Sequence, residues 1–157
     1  MLIDSHAHLE MREFDADREE VIRRAGAAGV DRIVTVGTNL NLSGKAAALA
    51  EKYENIYATV GVHPHDVAKT DQNTLDALKE LICQSKKIVA YGEIGLDFFR
   101  NISPREKQLE MFAQQLELAK ELRLPVVIHD REAHRESLET VKSSGVRRGV
   151  FHCFSGD

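Results

Sequence analysis

The segment Pro125-Val126-Val127-Ile128-His129 is an uninterrupted apolar run that ends in a histidine. Such a run lacks the polar alternation of a half-exposed strand and is typical of a parallel strand that is covered on both faces. Comparable runs recur along the chain, separated by longer stretches with helical periodicity, at residues 2–3, 32–36, 56–62, 88–92 and 149–151. This alternation of strand and helix patterns predicts an α/β fold with a mostly parallel sheet.

The clearest helix pattern lies directly before this segment. It begins with Ser103-Pro104-Arg105-Glu106, in which serine, proline and glutamate suit the N-cap, N1 and N3 positions of a capped helix. The residues that follow form one apolar stripe: Leu109, Phe112, Ala113, Leu116 and Ala119. We therefore expect a serine-capped helix that packs on the sheet through this stripe.

The composition is that of an ordinary globular domain. The 157 residues are 43% hydrophobic and 29% charged, with a formal net charge of −4, which excludes collagen-like and highly acidic disordered chains. No apolar run approaches the roughly 20 residues that span a bilayer, and no secretory signal is visible. Cys83 and Cys153 form no CxxC motif, which suits a reducing cytoplasm. We therefore expect a cytoplasmic protein without membrane association. No linker or charge block divides the sequence, so we also expect a single domain over residues 1–157.

The histidines are not scattered along this pattern. Every histidine except His134 follows a predicted strand: His6, His8, His63, His65, His129 and His152. Glu93 follows the fourth predicted strand in the same way. Active sites of parallel α/β folds, and of barrels in particular, lie at the carboxyl ends of the strands. We therefore expect these side chains to meet at one edge of the sheet.

A metal site is the chemistry that this set favours. His6 and His8 are two residues apart, so on a strand both imidazoles point to the same face. With Glu93, His129 and His152 they make four histidines and one carboxylate, which suits two adjacent divalent ions. Glu93 is the natural bridge because a carboxylate has two oxygens. A surface histidine pair and a salt-bridged glutamate at a strand end are the structural alternatives.

Further polar residues near these positions have weaker assignments. For His63 and His65 we prefer contact with the substrate to metal ligation. Arg131 follows His129 and suits an anionic substrate, although an ordinary polar residue at a helix start is an equal alternative. Asp97 either orients a ligand histidine by accepting a hydrogen bond or begins the next loop.

Taken together, these motifs resemble the TatD-type metal-dependent deoxyribonucleases, a branch of the amidohydrolase-like metal hydrolases. The matching stretches are IDSHAHL at 3–9, GVHPH at 61–65, GEIGLD at 92–97, PVVIHDREA at 125–133 and FHCFSG at 151–156. The resemblance implies a TIM-type (β/α) barrel that hydrolyses phosphodiester bonds in DNA with two divalent metal ions. It also implies that the ligands are His6, His8, Glu93, His129 and His152, with Glu93 as the shared, catalytic carboxylate. Imidazole ligands favour Zn²⁺ or Mn²⁺, whereas the family resemblance implies that Mg²⁺ can serve.

The length conflicts with this fold. A TIM barrel has eight strands in about 250 residues, and the sequence predicts six. We therefore expect a barrel that is truncated after strand six. The resemblance implies one further metal-site aspartate after a later strand, for which Asp157 is a poor substitute. Open edges at the outer strands would then favour self-association or pairing with a missing C-terminal segment.

Two other functions fit the same residues. A two-metal site of this kind also suits hydrolysis of a small amide, lactone or ester, and an incomplete barrel suits a non-catalytic fragment that needs a partner. With 21 Lys and Arg against 25 Asp and Glu, the chain offers no broad basic surface for duplex DNA. A DNA substrate would therefore be bound locally, by metals and a few arginines.

Overall fold

The structure is a computed structural model in which residues 1–154 are described, so Asp157 lies outside the described residues. Within that range the six strands are β1 Leu2–Ala7, β2 Val30–Val36, β3 Ile56–Val60, β4 Ile88–Asp97, β5 Val126–Arg131 and β6 Gly149–His152. The five α-helices are α1 Arg18–Ala27, α2 Leu40–Lys52, α3 Gln72–Gln84, α4 Arg105–Glu121 and α5 His134–Ser144. None of these described helices has the length and apolar character needed to cross a membrane.

The strands form one sheet in chain order, and every neighbouring pair is parallel. Each strand is joined to the next through a helix, which is the pattern of a TIM-type (β/α) barrel. The predicted fold class is therefore confirmed, with six of its strands in the described residues. Several strands extend beyond their predicted ends, so that His6, Glu93 and His129 lie within strands rather than after them.

The apolar core lies between the sheet and the helices. Its fully buried side chains include Ile56 and Ile94 from the strands and Leu78, Phe112 and Leu116 from the helices. Burying such a side chain stabilises the fold by about 1.5–3 kcal/mol relative to leaving it exposed. This core holds the strands rigidly and thereby fixes the positions of the side chains at their carboxyl ends.

Helix α4 buries two glutamines that the predicted apolar stripe did not include. Gln115 accepts a hydrogen bond from the Val62 amide at 2.8 Å and donates to the Val62 carbonyl at 3.1 Å. Gln108 makes the same pair of bonds with Asp97, at 2.8 and 3.2 Å. Ala113, which the stripe did include, is exposed. The buried face of α4 therefore anchors the ends of β3 and β4 through polar contacts.

The predicted serine cap of α4 is wrong. The helix starts at Arg105 with Pro104 before it, and no side chain caps its first turn. The Ser103 hydroxyl instead donates to the His65 carbonyl at 2.9 Å and accepts from the Ala68 amide at 3.2 Å. Ser103 is fully buried, so these bonds satisfy a group that could not reach water. Its role is to hold the loop after β3.

The two outer strands leave apolar side chains exposed. Leu2 and Ile3 on β1 are 58% and 48% exposed, and Val150 on β6 is 55% exposed. Each of these strands pairs with one neighbour only within residues 1–154. The outer edges of the described sheet therefore present unpaired backbone groups beside apolar surface.

A close approach of β4 to β5 depends on Gly95. Its φ is +137°, and a Cβ placed on it would lie 2.0 Å from the His129 carbonyl oxygen. The two residues are direct partners in the parallel register. Only glycine combines this backbone conformation with so close a contact. Gly95 thus permits the strand pairing that brings His129 next to Glu93.

We predict that Gly95→Ala lowers the free energy of unfolding by about 2 kcal/mol or more, because the new methyl group overlaps the β5 backbone. Urea denaturation followed by circular dichroism measures this change. Gly26→Ala is the matched control, since Gly26 is an exposed position in α1 where a Cβ meets no atom within 4 Å. The control should gain about 0.5–1 kcal/mol. Equal stability of the two variants would contradict the proposed packing.

Candidate metal centre

The carboxyl ends of the strands bring the predicted side chains together. His129 on β5 is in direct register with His152 on β6, and neighbours in register on parallel strands point to the same face. Glu93 on β4 and His6 on β1 reach into the same space. The rings of His6 and His152 are nearly parallel, and their centroids are 3.4 Å apart. The sheet therefore assembles these four residues from four different strands.

Glu93 lies at the centre of this arrangement and is only 4% exposed. Its Oε1 atom is 2.9 Å from His129 Nδ1 and 3.8 Å from His63 Nε2. Its Oε2 atom is 3.4 Å from His6 Nε2. The two oxygens of one carboxylate thus face two different sets of histidines.

Two groups of ligand atoms result from this geometry. His6, Glu93 and His152 each offer one atom, and these atoms all lie within 4.8 Å of one another. His63, Glu93 and His129 form a second such group, also within 4.8 Å. Both groups contain Glu93, which makes it the residue that two ions would share.

The donor set passes a direct test of its fit to a divalent metal. Both ring nitrogens of His6 are buried, and neither has a hydrogen-bond partner among residues 1–154. An unsatisfied buried polar group is costly, and a metal ion on one nitrogen would relieve that cost. Imidazole nitrogens with a carboxylate oxygen suit Zn²⁺ and Mn²⁺ in particular. The residues present therefore fit such an ion.

His8 was predicted as a ligand and lies outside both groups, with its ring centroid 5.1 Å from that of His6. Its Nδ1 atom is 3.0 Å from the Val36 carbonyl and 3.2 Å from Glu10 Oε1. Both partners are acceptors, so Nδ1 carries the proton and the lone pair of the neutral ring is on Nε2. A histidine held in this way is prepared for ligation, and its role as a ligand stays a prediction.

Glu10 is a functional candidate that the sequence did not reveal. It is 1% exposed and accepts a hydrogen bond from the Thr35 hydroxyl at 2.6 Å. The hydrogen bond to Glu10 raises the pKa of His8. In the sequence, Glu10 is one of many acidic residues and has no feature that predicts burial.

Asp97 connects several residues at this edge, which favours the orienting role over a simple loop start. Its Oδ2 atom is 2.8 Å from His65 Nε2 and 3.2 Å from His129 Nε2. Its Oδ1 atom accepts a hydrogen bond from the Arg100 amide at 2.7 Å. His65 is therefore held by Asp97, whereas its neighbour in the motif, His63, faces Glu93 and belongs to a ligand group.

The pKa values of the groups at this site are shifted in different directions. Burial opposes ionisation of Glu93, but its contacts with His129, His6 and His63 together outweigh burial and hold the pKa of Glu93 well below its usual range. Burial lowers the pKa of His63 to about 3 and also lowers the pKa of His152. The pKa of His129 is raised because contacts with Glu93 and Asp97 outweigh the effect of its burial. The site therefore combines an anionic bridge with two imidazoles, His63 and His152, that burial keeps neutral, whereas His129, like His8, binds a proton more readily than an ordinary histidine.

Arg131 lies outside this cluster of ligand atoms. Its side chain is exposed, and its guanidinium carbon is 4.2 Å from the ring centroid of Phe99. No carboxylate within residues 1–154 forms an ion pair with it. Contact with a substrate stays a prediction both for Arg131 and for His65.

Comparison with known proteins gives a consistent result. The metal-dependent hydrolase YabD of Bacillus subtilis, named as uncharacterized, is 42% identical over 158 residues, covering 99% of this chain and 62% of YabD. The 3'-5' ssDNA/RNA exonuclease TatD of Cronobacter sakazakii is 41% identical over 157 residues, covering 99% of this chain and 59% of the relative. The chain thus spans about three-fifths of the length of these relatives.

Solved structures show the same relationship. The TatD homolog YJJV from Escherichia coli K12 has a TM-score of 0.93 at 37% identity, covering 99% of this chain and 61% of that one. A TatD family hydrolase from Entamoeba histolytica has a TM-score of 0.91 at 30% identity, with 99% and 58% covered. Residues 3–157 match the family model described as TatD related DNase. Because that match includes nearly the whole chain, the protein belongs to the TatD family of metal-dependent hydrolases.

Proposed function

We propose that this chain supplies the metal-binding strands of a two-metal hydrolase that cleaves phosphodiester bonds in DNA. One observation carries the proposal: the two carboxylate oxygens of Glu93 face separate histidine groups, at 2.9 Å from His129 and 3.4 Å from His6. A bridging carboxylate between two imidazole sets suits a pair of ions a few ångströms apart. The nuclease name of the Cronobacter relative supports nucleic acid as the substrate class.

The chain's residues divide between two ion positions. His6 and His152 would hold one ion, with His8 close enough in the fold to approach it, and His63 and His129 would hold the other. Glu93 would contact both. When bound, such ions lower the pKa of water and neutralise charge on the scissile phosphate. Asp97 keeps the His129 ring in place by accepting its hydrogen bond.

The outer residues at this edge suit recognition of an anionic strand. We assign His65 and Arg131 to substrate contact, and His63 to the metal because its Nε2 is 3.8 Å from Glu93 Oε1. The overall charge of −4 does not favour extended duplex binding. A locally held single strand is therefore the proposed substrate. The two free, exposed cysteines, Cys83 and Cys153, are consistent with action in the reducing cytoplasm.

We predict that Glu93→Gln removes the bridge while preserving the side-chain volume. Bound metal, measured by mass spectrometry after equilibration with Zn²⁺ or Mn²⁺ and desalting, should fall by at least one ion per chain. Removal of residues that only support metal ligands costs about 10–100-fold in affinity or activity, so hydrolysis of a single-stranded oligonucleotide should fall by about 100-fold or more.

Glu121→Gln is the matched control because Glu121 is exposed and pairs only with Lys79 in the described residues. This variant should keep both the metal content and the rate. Unchanged metal content in Glu93→Gln would overturn the proposed bridge. Hydrolysis of p-nitrophenyl acetate or a lactone without hydrolysis of the oligonucleotide would instead favour the small-substrate alternative.

Metal affinity should weaken as the pH falls from about 7.5 to 5.5. The raised pKa of His129 means that this ring binds a proton at higher pH than an ordinary histidine does, so metal must displace that proton. His63, with a pKa of about 3, stays neutral throughout this range and does not contribute. Calorimetry in two buffers of different ionisation enthalpy should show proton release on metal binding at pH 6.5. An affinity that does not change across this pH range would contradict the assignment of His129.

We also propose that the outer edges of β1 and β6 pair with further polypeptide, including a second copy of the chain. Light scattering should then give residues 1–157 a mass above that of one chain at micromolar concentration. The variant Ile3→Lys/Val150→Lys, with charge on both edges, should shift the mass towards one chain. Val89→Lys is the control, since Val89 is exposed on β4, which is paired on both sides. A compact monomer for the unmodified chain would contradict the proposal.

A further inference from the structure

An exposed aromatic side chain lies on the turn after β4, next to the candidate metal centre. Phe99 is 62% exposed. The Arg131 guanidinium carbon lies 4.2 Å from the centroid of its ring, a distance at which cation–π attraction operates. One isolated exposed phenylalanine is ordinary on a protein surface. An exposed phenylalanine that packs against an arginine has a more fixed orientation than an isolated one, because the arginine restricts the rotamers of the phenylalanine side chain.

Three arginines lie on or beside this turn: Arg100, Arg105 and Arg131. Arg105 covers the neighbouring Phe98 in the same manner, with its guanidinium carbon 4.4 Å from the ring centroid. Arg100 follows Phe99 directly. In the described part of the chain, none of the three arginines forms an ion pair with a carboxylate. The turn therefore combines an accessible ring with cationic groups that are available to an anionic ligand.

Backbone hydrogen bonds tie this turn to the metal centre. The Phe98 amide donates to the Arg131 carbonyl at 2.9 Å. The Arg100 amide donates to Asp97 Oδ1 at 2.7 Å, and Oδ2 of the same carboxylate is 3.2 Å from His129 Nε2. Phe99 is thus held between two anchored residues. Its position relative to His129 is set by one shared carboxylate rather than by a long, free loop.

We infer that Phe99 and Arg131 form a stacking platform for an unpaired base of the strand whose scissile phosphate lies at the candidate metal centre. The inference rests on the proposed function and names the contact that selects single strands. An aromatic face stacks with any base, and arginine adds attraction to the adjacent phosphates. A base within a duplex is already stacked on its neighbours and cannot lie flat on this ring. The platform therefore favours single-stranded nucleic acid without reading its sequence.

Phe99→Ala should weaken the binding of a fluorescein-labelled oligo-dT of 12 nucleotides, followed by fluorescence anisotropy in Mn²⁺ with phosphorothioate linkages that resist cleavage. Loss of one base stack of typical strength corresponds to an increase in Kd of about 5- to 150-fold. Phe99→Trp should retain the affinity because it preserves the aromatic face. Circular dichroism would verify that each variant is folded.

Ile102→Ala is the matched control, because Ile102 is 60% exposed on the same loop but has no ring to stack. It should change Kd by less than twofold. A second readout separates stacking from general contact: an oligonucleotide of abasic sugars should bind wild-type and Phe99→Ala proteins with equal affinity.

The possible failures are distinguishable. Wild-type protein that binds and cleaves oligo-dT, with an equal Kd for Phe99→Ala, would overturn the platform and leave the proposed function intact. Equal losses for Phe99→Ala and Ile102→Ala would also overturn it, because apolar area alone would then explain the binding. Wild-type protein that neither binds nor cleaves any oligonucleotide would overturn the proposed function, and the platform with it.

Discussion

The carboxylate of Glu93 is the constraint on which the site depends. It is 4% exposed, and burial raises its pKa, yet its contacts with His129, His6 and His63 together hold that pKa below the usual range. A buried charge requires partners on more than one side, and His6 and His63 lie on the other sides. Strands β1, β3, β4 and β5 must therefore keep their relative positions for this one anion to be tolerated. Divalent ions between the carboxylate and the imidazoles would satisfy the same requirement more completely.

The surrounding polar contacts keep that geometry rigid. Gln115 and Gln108, two turns apart on α4, bond both backbone groups of Val62 and Asp97 at the ends of β3 and β4. Ser103 holds the loop that carries His65. Each of these side chains is fully buried, and its polar atoms are hydrogen-bonded. Hydrogen-bond networks in which every buried group has a partner fix the strand ends in one geometry more strictly than apolar packing alone does. A site for two closely spaced ions requires such a fixed geometry.

The success and failure of the sequence-based predictions have a common physical cause. Parallel strands place their carboxyl ends together, so the sequence alone predicts that His6, Glu93, His129 and His152 lie at one edge of the sheet. Gln115 could not be identified, because its partner Val62 is 53 residues away and nothing local indicates burial. The predicted serine cap at Ser103 failed for a related reason, because the hydroxyl bonds to the His65 carbonyl and the Ala68 amide of a distant loop instead of to its own helix.

By itself, the sequence determined the order of strands and helices, the edge at which the chemistry lies, and the family through its spaced motifs. These properties follow from local hydrophobic patterns and from residue identity. Only the tertiary structure decided that the two oxygens of Glu93 face different histidines, that His63 joins a ligand group while His8 is held by Glu10, and that Phe99 lies against Arg131. These outcomes depend on strand register and on long-range hydrogen bonds that close only when separate segments pack. No single segment of the sequence contains that information.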